Sequence, residues 1–425
     1  MRRRVVVTGM GVVTPLGDEL GAFYQSLLAG RSAITRWKFF DDPRVYSKVG
    51  GDLSGYDAAA RLQALLERIP EEHHARLSKL FRTAPMSTRL SLIVGLDGWL
   101  DAALGFGFDP SRAGVIVGGH NLNEHYLIRQ HHVFMEEPDW MDAQIGVLDL
   151  DTDHAASIGE ALGLRGPTYT MGGACASANL GLRAGLDEIR HHGLDVVLLA
   201  GACLDFSPIG LHAMALLGAI SFQSFNDAPE RASRPFDLHR EGFVPSHGAA
   251  ALVLEELEHA RRRDARIYAE VLGCVATSDG SHLPAPSTEG QSRTIGQLLA
   301  ETGVPKEEVD FVCAHATSTQ LGDVSELRAL HEVFGAHAQN LKINAPKSML
   351  GHTCWSAPAV ETVAAILQMR GGRLHPSINV EVLDPQIDLD VCANAGADLR
   401  PRHVLKNSFG FGGINCCSLL KPGPV

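Results

Sequence analysis

The sequence has no long apolar run and no excess of positive charge. No uninterrupted apolar stretch approaches the roughly 20 residues that a helix needs to cross a bilayer, and the start, Met1-Arg-Arg-Arg-Val-Val-Val-Thr-Gly, reaches glycine too soon for a signal peptide. We therefore expect a cytoplasmic protein with no membrane partner. The 49 acidic residues outnumber the 37 basic ones, for a formal charge of −12. This charge argues against a general nucleic-acid binder, because phosphate binding needs a positive field.

A dense set of cysteines in a short chain is also missing. The eight cysteines are spread over 425 residues, so we expect no disulfide framework and predict that most of them are small buried apolar residues. Cys313-Ala-His315 and His352-Thr-Cys354 together supply two thiols and two imidazoles. Structural zinc ligands are usually separated by two to four residues rather than one, so we predict no metal site.

Short β-branched runs alternate with longer helical patterns along the chain, which is typical of an α/β fold. The runs that we predict to be strands are Arg4–Thr8, Gly114–Val117, Asp195–Ala200, Ala249–Leu254, Tyr268–Leu272 and Asp310–Ala314. Leu182, Leu186 and Ile189 fall on one helical face, and Gly193 follows before the next strand. Cys175 is therefore predicted to lie in a turn that leads into a helix and then a strand.

The sequence contains a candidate internal repeat. One match is between Arg3-Arg-Val-Val-Val-Thr-Gly and Arg266-Ile-Tyr-Ala-Glu-Val-Leu-Gly, which are both apolar strand patterns that run into glycine. The other is between Cys175-Ala-Ser-Ala and Cys354-Trp-Ser-Ala, which both lie just before an apolar helical pattern. We interpret these matches as two similar halves, residues 1–256 and 257–425, divided at a charged stretch. The alternative is chance similarity between two αβ units.

The segment Met171-Gly-Gly-Ala-Cys-Ala-Ser-Ala-Asn places Cys175 among small residues directly before the predicted helix. Small neighbours permit a tight turn, and the partial positive charge of a helix N-terminus favours a thiolate. Cys175 is thus a candidate nucleophile. A close-packed turn without chemistry has the same pattern.

Two histidines follow in polar segments. His315 ends a predicted strand in Val312-Cys-Ala-His-Ala-Thr-Ser-Thr, and His352 follows a glycine in Asn344-Ala-Pro-Lys-Ser-Met-Leu-Gly-His, five residues after Lys347. Histidines in loops at strand ends are placed to reach a shared cleft. A lone histidine there is more often structural, but the segments reinforce one another.

A glycine-rich segment, Asn407-Ser-Phe-Gly-Phe-Gly-Gly-Ile-Asn, lies near the C-terminus. We predict a mobile loop whose N–H groups face a developing oxyanion, with Phe411 as a movable lid. The segment is a poor phosphate loop, because it lacks the spacing and the lysine of one.

In this order, the segments resemble the β-ketoacyl-acyl carrier protein synthases, the decarboxylating condensing enzymes of fatty-acid and polyketide synthesis in the thiolase-fold superfamily. The resemblance runs from Val5 to Gly413, essentially the whole chain, and includes Gly166-Pro, Ser233-Arg-Pro-Phe-Asp and Arg240-Glu-Gly-Phe-Val. It implies a duplicated αβαβα layered fold with two pseudo-symmetric halves, and an acyltransferase activity.

The resemblance also implies a chemical role for five residues. Cys175 would be the nucleophile that takes an acyl group from a carrier thioester. His315 and His352 would be the two histidines that stabilise the enolate formed when malonyl carrier protein loses carbon dioxide. Lys347 would form an ion pair with Glu361. The enolate would attack the acyl cysteine and give a β-ketoacyl product, a decarboxylative Claisen condensation.

Further residues are implied in binding. Thr317 and Thr319 would hold the phosphopantetheine arm, which arrives on the carrier protein, so no separate cofactor is implied. The N–H groups of Phe411 and Cys175 would form the oxyanion hole, with Gly410 and Gly412 flanking the gate.

The chain departs from the family pattern at several positions. Ala316 replaces a usual glycine, Trp355 adds bulk beside a catalytic histidine, and Pro358 is tolerable only in the first turn of a helix. His247 stands where an aspartate is typical, and the stretch from His120 to Tyr126 is polar where the family shapes its acyl pocket. The resemblance therefore leaves open the acyl group.

Two other functions stay open, a malonyl-carrier-protein decarboxylase that does not condense, and a non-catalytic partner subunit of a ketosynthase heterodimer. The intact set of Cys175, His315 and His352 argues against both, and a thiolase or hydroxymethylglutaryl-type synthase fits the histidine order less well. The expected partners are an acyl carrier protein and a second copy or a related chain.

An acidic carrier protein needs a basic docking patch. Arg76, Lys79 and Arg82 lie at helical spacing and could contribute to one. An ordinary solvated helix face has the same pattern.

Overall fold

A computed structural model describes residues 3–424. The strands in chain order are β1 Val5–Val13, β2 Thr35–Arg36, β3 Val49–Gly50, β4 Ala113–Gly118, β5 Thr168–Met171, β6 Val196–Gly201, β7 Ala249–Glu256, β8 Ala269–Ser278, β9 Val309–Cys313, β10 Lys342–Asn344, β11 Arg373–Leu374, β12 Ala397–Asp398, β13 His403–Gly410 and β14 Ile414–Pro422. The α-helices are α1 Leu20–Leu28, α2 Ala58–Leu66, α3 His74–Thr83, α4 Met86–Asp101, α5 Glu124–Glu136, α6 Ile145–Leu148, α7 Thr152–Leu162, α8 Ser177–Arg190, α9 Pro208–Leu216, α10 Leu257–Arg262, α11 Thr288–Thr302, α12 Gln320–Phe334, α13 Lys347–Leu350 and α14 Ala357–Gly371.

Ten of the strands form one mixed sheet in the order β10-β9-β13-β14-β8-β1-β7-β6-β4-β5. The order is symmetric about the antiparallel contact between β1 and β8, where Val5 pairs with Val271 and Val7 with Ala269. On each side, two antiparallel pairings are followed by two parallel ones. The expected duplicated α/β fold is confirmed. The predicted boundary lies where β7 ends at Glu256 and α10 begins at Leu257.

The layers follow the order helix, sheet, helix, sheet, helix, in which the two sheet layers are the two halves of the ten-stranded sheet. The apolar faces of α8 and α14 share a central core with strands from both halves of the sheet. On the outside, α4 and α7 cover the half that contains β4 and β6, and α11 and α12 cover the half that contains β9 and β13. Leu182, Leu186 and Ile189 all lie in the central core, as their spacing predicts.

All six predicted strands exist, but β1 continues past Thr8, the end of its predicted range, to Val13. Gly9 and Gly11 remain in the strand because α4 crosses it at close range. A Cβ atom on Gly9 would lie 2.2 Å from the carbonyl oxygen of Gly98, and one on Gly11 2.4 Å from that of Val94. These glycines mark a close helix–strand contact rather than a turn.

The repeat matches with an offset of one residue. Short 3₁₀ turns at Ala174–Ala176 and Cys354–Ser356 lead into α8 and α14, and their first residues have positive φ angles of 46° and 50°. Cys354 is therefore equivalent to Ala174, not to Cys175, and Trp355 occupies the position of Cys175. Pro358 lies in the first turn of α14, where a proline is tolerated.

Within residues 3–424, no helix is both long enough and apolar enough to cross a membrane.

Candidate active site

Cys175 lies in the turn between β5 and α8, as its sequence context predicts. The turn is held by Ser177, whose hydroxyl accepts a hydrogen bond from the N–H of Gly173 (2.9 Å) and donates one to the carbonyl of Ala174 (2.7 Å). The Cys175 side chain is buried, at the N-terminal end of the 14-residue helix α8.

The thiol of Cys175 is not acidic in this resting structure. Burial raises the pKa of Cys175 to about 11, against the opposing charge of Lys347 and the hydrogen bonds of the Phe411 and Cys175 N–H groups. We expected the helix N-terminus to favour a thiolate, but desolvation outweighs it here. The same two N–H groups that contact the sulfur are those predicted to form an oxyanion hole.

His315 and His352 face one another beside Cys175. Their ring centroids are 5.6 Å apart and the rings are nearly perpendicular, at 85°. Burial first, and then the positive charge of Lys347, lower the pKa of each histidine well below its usual value. Both imidazoles are therefore neutral at physiological pH, and each has one N–H donor.

The partners of the two rings indicate which nitrogen carries the proton. His352 Nδ1 accepts a hydrogen bond from the N–H of Cys354 (3.2 Å), so we assign the proton to Nε2. This Nε2 is buried and has no partner among the described residues. Nδ1 of His315 lies 3.5 Å from the Lys347 ammonium, which can only donate. The same assignment thus holds for His315.

A buried ion-pair network lies behind His315. Lys347 Nζ donates to the carbonyl of His315 at 2.7 Å and contacts Glu361 Oε1, the ion pair that the resemblance implies. The second oxygen of Glu361 lies 2.8 Å from Lys406 Nζ. Burial is the largest effect on the pKa of Lys406 and lowers it, but the charge and hydrogen bond of Glu361, together with smaller contributions from neighbouring groups, outweigh it, and the net shift is upward. Lys406 was not predicted from the sequence.

Glu326 on α12 was also missed. Its two carboxylate oxygens accept hydrogen bonds from the N–H groups of His315 (2.9 Å) and Ala316 (2.8 Å). The side-chain amide of Asn407 donates to the same carboxylate at 2.9 Å. Glu326 therefore fixes the backbone that carries His315. The available signal was a carboxylate 11 residues after His315 on the helix that follows it.

Cys175, His315 and His352 line one cavity of about 510 Å³. Thr317 and Thr319 line it as well, with their hydroxyl oxygens 3.1 Å apart. Apolar residues on other segments complete the wall, namely Leu217, Leu283, Pro284 and Leu321. Lys347, Glu361 and Gly412 are not among the lining residues, and Lys347 is linked to the cavity wall by its hydrogen bond to His315.

The glycine-rich segment differs from the predicted loop. Residues 407–410 belong to β13 and residues 414–415 to β14, where Gly410 pairs with Ile414, so only residues 411–413 form the connection. Gly410 is pressed against the turn that carries Cys175, because a Cβ there would lie 2.7 Å from the carbonyl oxygen of Gly173. Phe411 is 38% exposed and lines the cavity opposite Phe243, with centroids 6.5 Å apart.

The predicted basic patch is smaller than expected. Arg76 is partly buried on α3, and its guanidinium donates to the carbonyl of Ala161 at 3.0 Å. Lys79 and Arg82 are exposed. None of the three lines the cavity of Cys175.

Comparison with known proteins identifies the family. A family model described as the N-terminal domain of beta-ketoacyl synthase matches residues 2–260, and the corresponding C-terminal domain model matches residues 268–381. The chain is 32% identical to 3-oxoacyl-[acyl-carrier-protein] synthase 2 of Coxiella burnetii over 97% of both proteins. It is also 32% identical to a polyketide biosynthesis malonyl-ACP decarboxylase of Bacillus subtilis, over 97% of this chain and 94% of that protein.

Solved structures show the same fold. One is a ketosynthase of a type II polyketide synthase, bound to a hexaketide and in complex with its acyl-carrier protein. It superposes over 100% of both chains with a TM-score of 0.87 and 26% identity.

Proposed function

The chain belongs to the β-ketoacyl synthase family of condensing enzymes, and from this premise we propose that it joins an acyl group on Cys175 to malonyl-acyl carrier protein by decarboxylative condensation. The observation that carries the proposal is the convergence of one thiol and two neutral imidazoles, those of Cys175, His315 and His352, on a single cavity.

The first step is acyl transfer. A bond forms between the Cys175 sulfur and the acyl carbonyl carbon, and the pantetheine sulfur leaves with the proton of the Cys175 thiol. Because burial keeps this thiol protonated, proton transfer must accompany the attack. The N–H groups of Cys175 and Phe411 would stabilise the tetrahedral oxyanion.

The second step is decarboxylation and condensation. The malonyl group of malonyl carrier protein enters the same cavity on its pantetheine arm, which lies beside Thr317 and Thr319. The malonyl group then loses carbon dioxide. The enolate oxygen accepts hydrogen bonds from the Nε2–H groups of His315 and His352, which are neutral and stabilise the enolate by hydrogen bonding while they keep their protons. The enolate carbon attacks the acyl cysteine, the thiolate of Cys175 leaves, and the β-ketoacyl chain remains on the carrier. The pantetheine arm belongs to the substrate, so the proposal needs no cofactor.

Intact-mass analysis tests this proposal. The protein offered an acyl carrier protein should gain the mass of the acyl group, and Cys175→Ala should not. Cys392→Ala is the matched control, since Cys392 is another buried free cysteine and lies outside the cavity. Absence of labelling in the unaltered protein, or labelling of Cys175→Ala, would sink the proposal.

A second candidate is decarboxylation without condensation. The similarity to a named malonyl-ACP decarboxylase favours it, and the two imidazole donors would suffice for it. An intact Cys175 favours condensation, because a pure decarboxylase does not need the nucleophile. Acetyl carrier protein as the sole product, with an acyl donor also present, would select the decarboxylase.

The partners follow from the proposed reaction. An acyl carrier protein must deliver both substrates, and the similarity to a ketosynthase solved with its carrier supports this. We further propose a cytoplasmic homodimer, with a heterodimer as the alternative that sedimentation of the purified chain would distinguish.

A further inference from the structure

His120 is the counterpart of His315 in the other half of the molecule. At the end of β4, Gly118 pairs with Met171 on one side and Gly201 on the other. At the end of β9, Cys313 pairs in the same way with Asn344 and Lys406. His120 and His315 each lie two residues beyond these strand ends.

Trp355 is likewise the counterpart of Cys175, because the turns at Ala174 and Cys354 have the same backbone. His120 and Trp355 stack on one another, with ring centroids 4.3 Å apart and an angle of 26° between the rings. The structure therefore contains the Cys175–His315 arrangement twice, once as thiol and imidazole and once as two stacked rings.

The stacked pair lies directly behind the nucleophile. A Cβ atom on Gly172 would lie 3.0 Å from His120 Cδ2, so the imidazole is pressed against the turn that carries Cys175. The 3₁₀ turns of Cys175 and Trp355 contact one another. Trp355 packs further into an aromatic cluster that includes Trp37, Phe39 and Phe206.

The cavity does not extend to this side of Cys175. None of its lining residues comes from the stretches 118–126 or 353–358, as far as residues 3–424 describe it. During condensation the cavity must hold the malonyl group and the end of the pantetheine arm. In the proposed condensation this leaves the direction toward the stacked pair for the acyl group on Cys175.

We propose that the stacked pair of His120 and Trp355 restricts Cys175 to short acyl groups, of acetyl or propionyl size. This inference rests on the condensation proposed above and specifies its acyl substrate. A longer chain has no space behind Cys175 unless the two rings move. Beyond the aromatic cluster lies a second cavity of about 470 Å³, which Phe39 also lines. Removal of the Trp355 ring would extend the available space toward it.

The rates at which Cys175 is acylated by carrier proteins with acyl groups of different length test this assignment. Acetyl, butyryl and octanoyl carrier protein are offered separately, and labelling at Cys175 is followed by intact mass. In the unaltered protein we expect octanoyl to react about a hundredfold more slowly than acetyl, the range that a closed apolar pocket imposes on extra methylenes. Trp355→Ala should recover octanoyl transfer by about tenfold or more, while acetyl labelling persists.

Two further variants make the test decisive. Trp140→Ala is the matched control, because this tryptophan is 77% exposed and outside both cavities, and it should keep the preference for acetyl. His120→Ala removes the other ring of the stack and should relax the preference even if Trp355→Ala does not fold.

Equal acetyl and octanoyl rates in the unaltered protein would overturn the inference and leave the condensation intact. So would an unchanged acetyl preference in folded Trp355→Ala and His120→Ala. A protein that takes no acyl group of any length fails at the proposed function instead.

Discussion

The turn before α8 and the turn before α14 share a backbone but hold different side chains at the equivalent position. Each begins with a residue of positive φ, 46° at Ala174 and 50° at Cys354, and each leads into a helix of the central layer. The next residue is Cys175 in one turn and Trp355 in the other. The backbone repeat therefore provides two equivalent positions, and of these two only the first holds a thiol.

The layer beneath the two turns differs in charge. Glu361 lies seven residues after Cys354, as Gly181 lies seven after Ala174. Lys406 pairs with the end of β9 as Gly201 pairs with the end of β4. The half that carries His315 thus buries one carboxylate and one ammonium group where the other half has two glycines.

The two glycines leave no room for such charges. A Cβ on Gly181 would lie 2.6 Å from Leu199 Cδ1, and one on Gly201 2.8 Å from Ala359 Cβ. Buried ion pairs cost desolvation energy that packed apolar groups avoid. The charged layer is therefore best explained by what it positions, the loop of His315.

The largest effect expected from this comparison concerns the two equivalent histidines. His315→Ala should slow malonyl carrier protein decarboxylation about 10²- to 10³-fold, the usual cost of one lost oxyanion donor. His120→Ala should slow it by less than about tenfold, because this ring stacks on Trp355 and does not line the cavity. Formation of acetyl carrier protein measures both.

Thermal melting of the same two variants provides the control for folding. Equal losses of decarboxylation in two folded variants would contradict the division of roles between the halves.

Replacement of Lys347 tests the contribution of the buried ion-pair network to stability. Lys347→Met leaves Glu361 and the His315 carbonyl without this buried partner, and we expect the free energy of unfolding to fall by about 3–5 kcal/mol. Lys342→Met is the matched control in the same half, since its ion pair with Asp390 is partly exposed and should matter by at most about 1 kcal/mol. Guanidinium denaturation measures both variants, and similar losses would mean that the buried network adds no specific stability.

The sequence predicted the elements that leave a local signature. Cys175 was identifiable from its small neighbours before a helical pattern, and His315 and His352 from their polar segments and their order. The α/β class followed from alternating strands and helices, and the two halves from repeated short segments. In each case the informative residues lie close together in the chain.

What the sequence did not reveal depends on contacts between distant segments. The burial of Glu326 and Lys406 follows from the packing of α12 and α14 against β13, which no local pattern reports. The ends of strands β13 and β14 were predicted to be a loop because the segment is rich in glycine. Gly410 is a glycine because it lies against the turn that carries Cys175. The offset of one residue between the two halves was not predictable, because residue type matches Cys175 with Cys354, whereas the backbone matches Ala174 with Cys354.

The smallest predicted effect compares the two cysteines of these turns. Burial raises the pKa of Cys175 to about 11 and that of Cys354 well above its usual value. Only the thiolate reacts with iodoacetamide, so below pH 11 the rate at Cys175 should rise about tenfold per pH unit, and Cys354 should react more slowly throughout. Peptide mass analysis after timed alkylation between pH 7 and 9 separates the two sites. A rate at Cys175 that levels off below about pH 8 would mean that Lys347 and the N-terminus of α8 outweigh burial. The two turns would then differ in electrostatics as well as in the side chain that they hold.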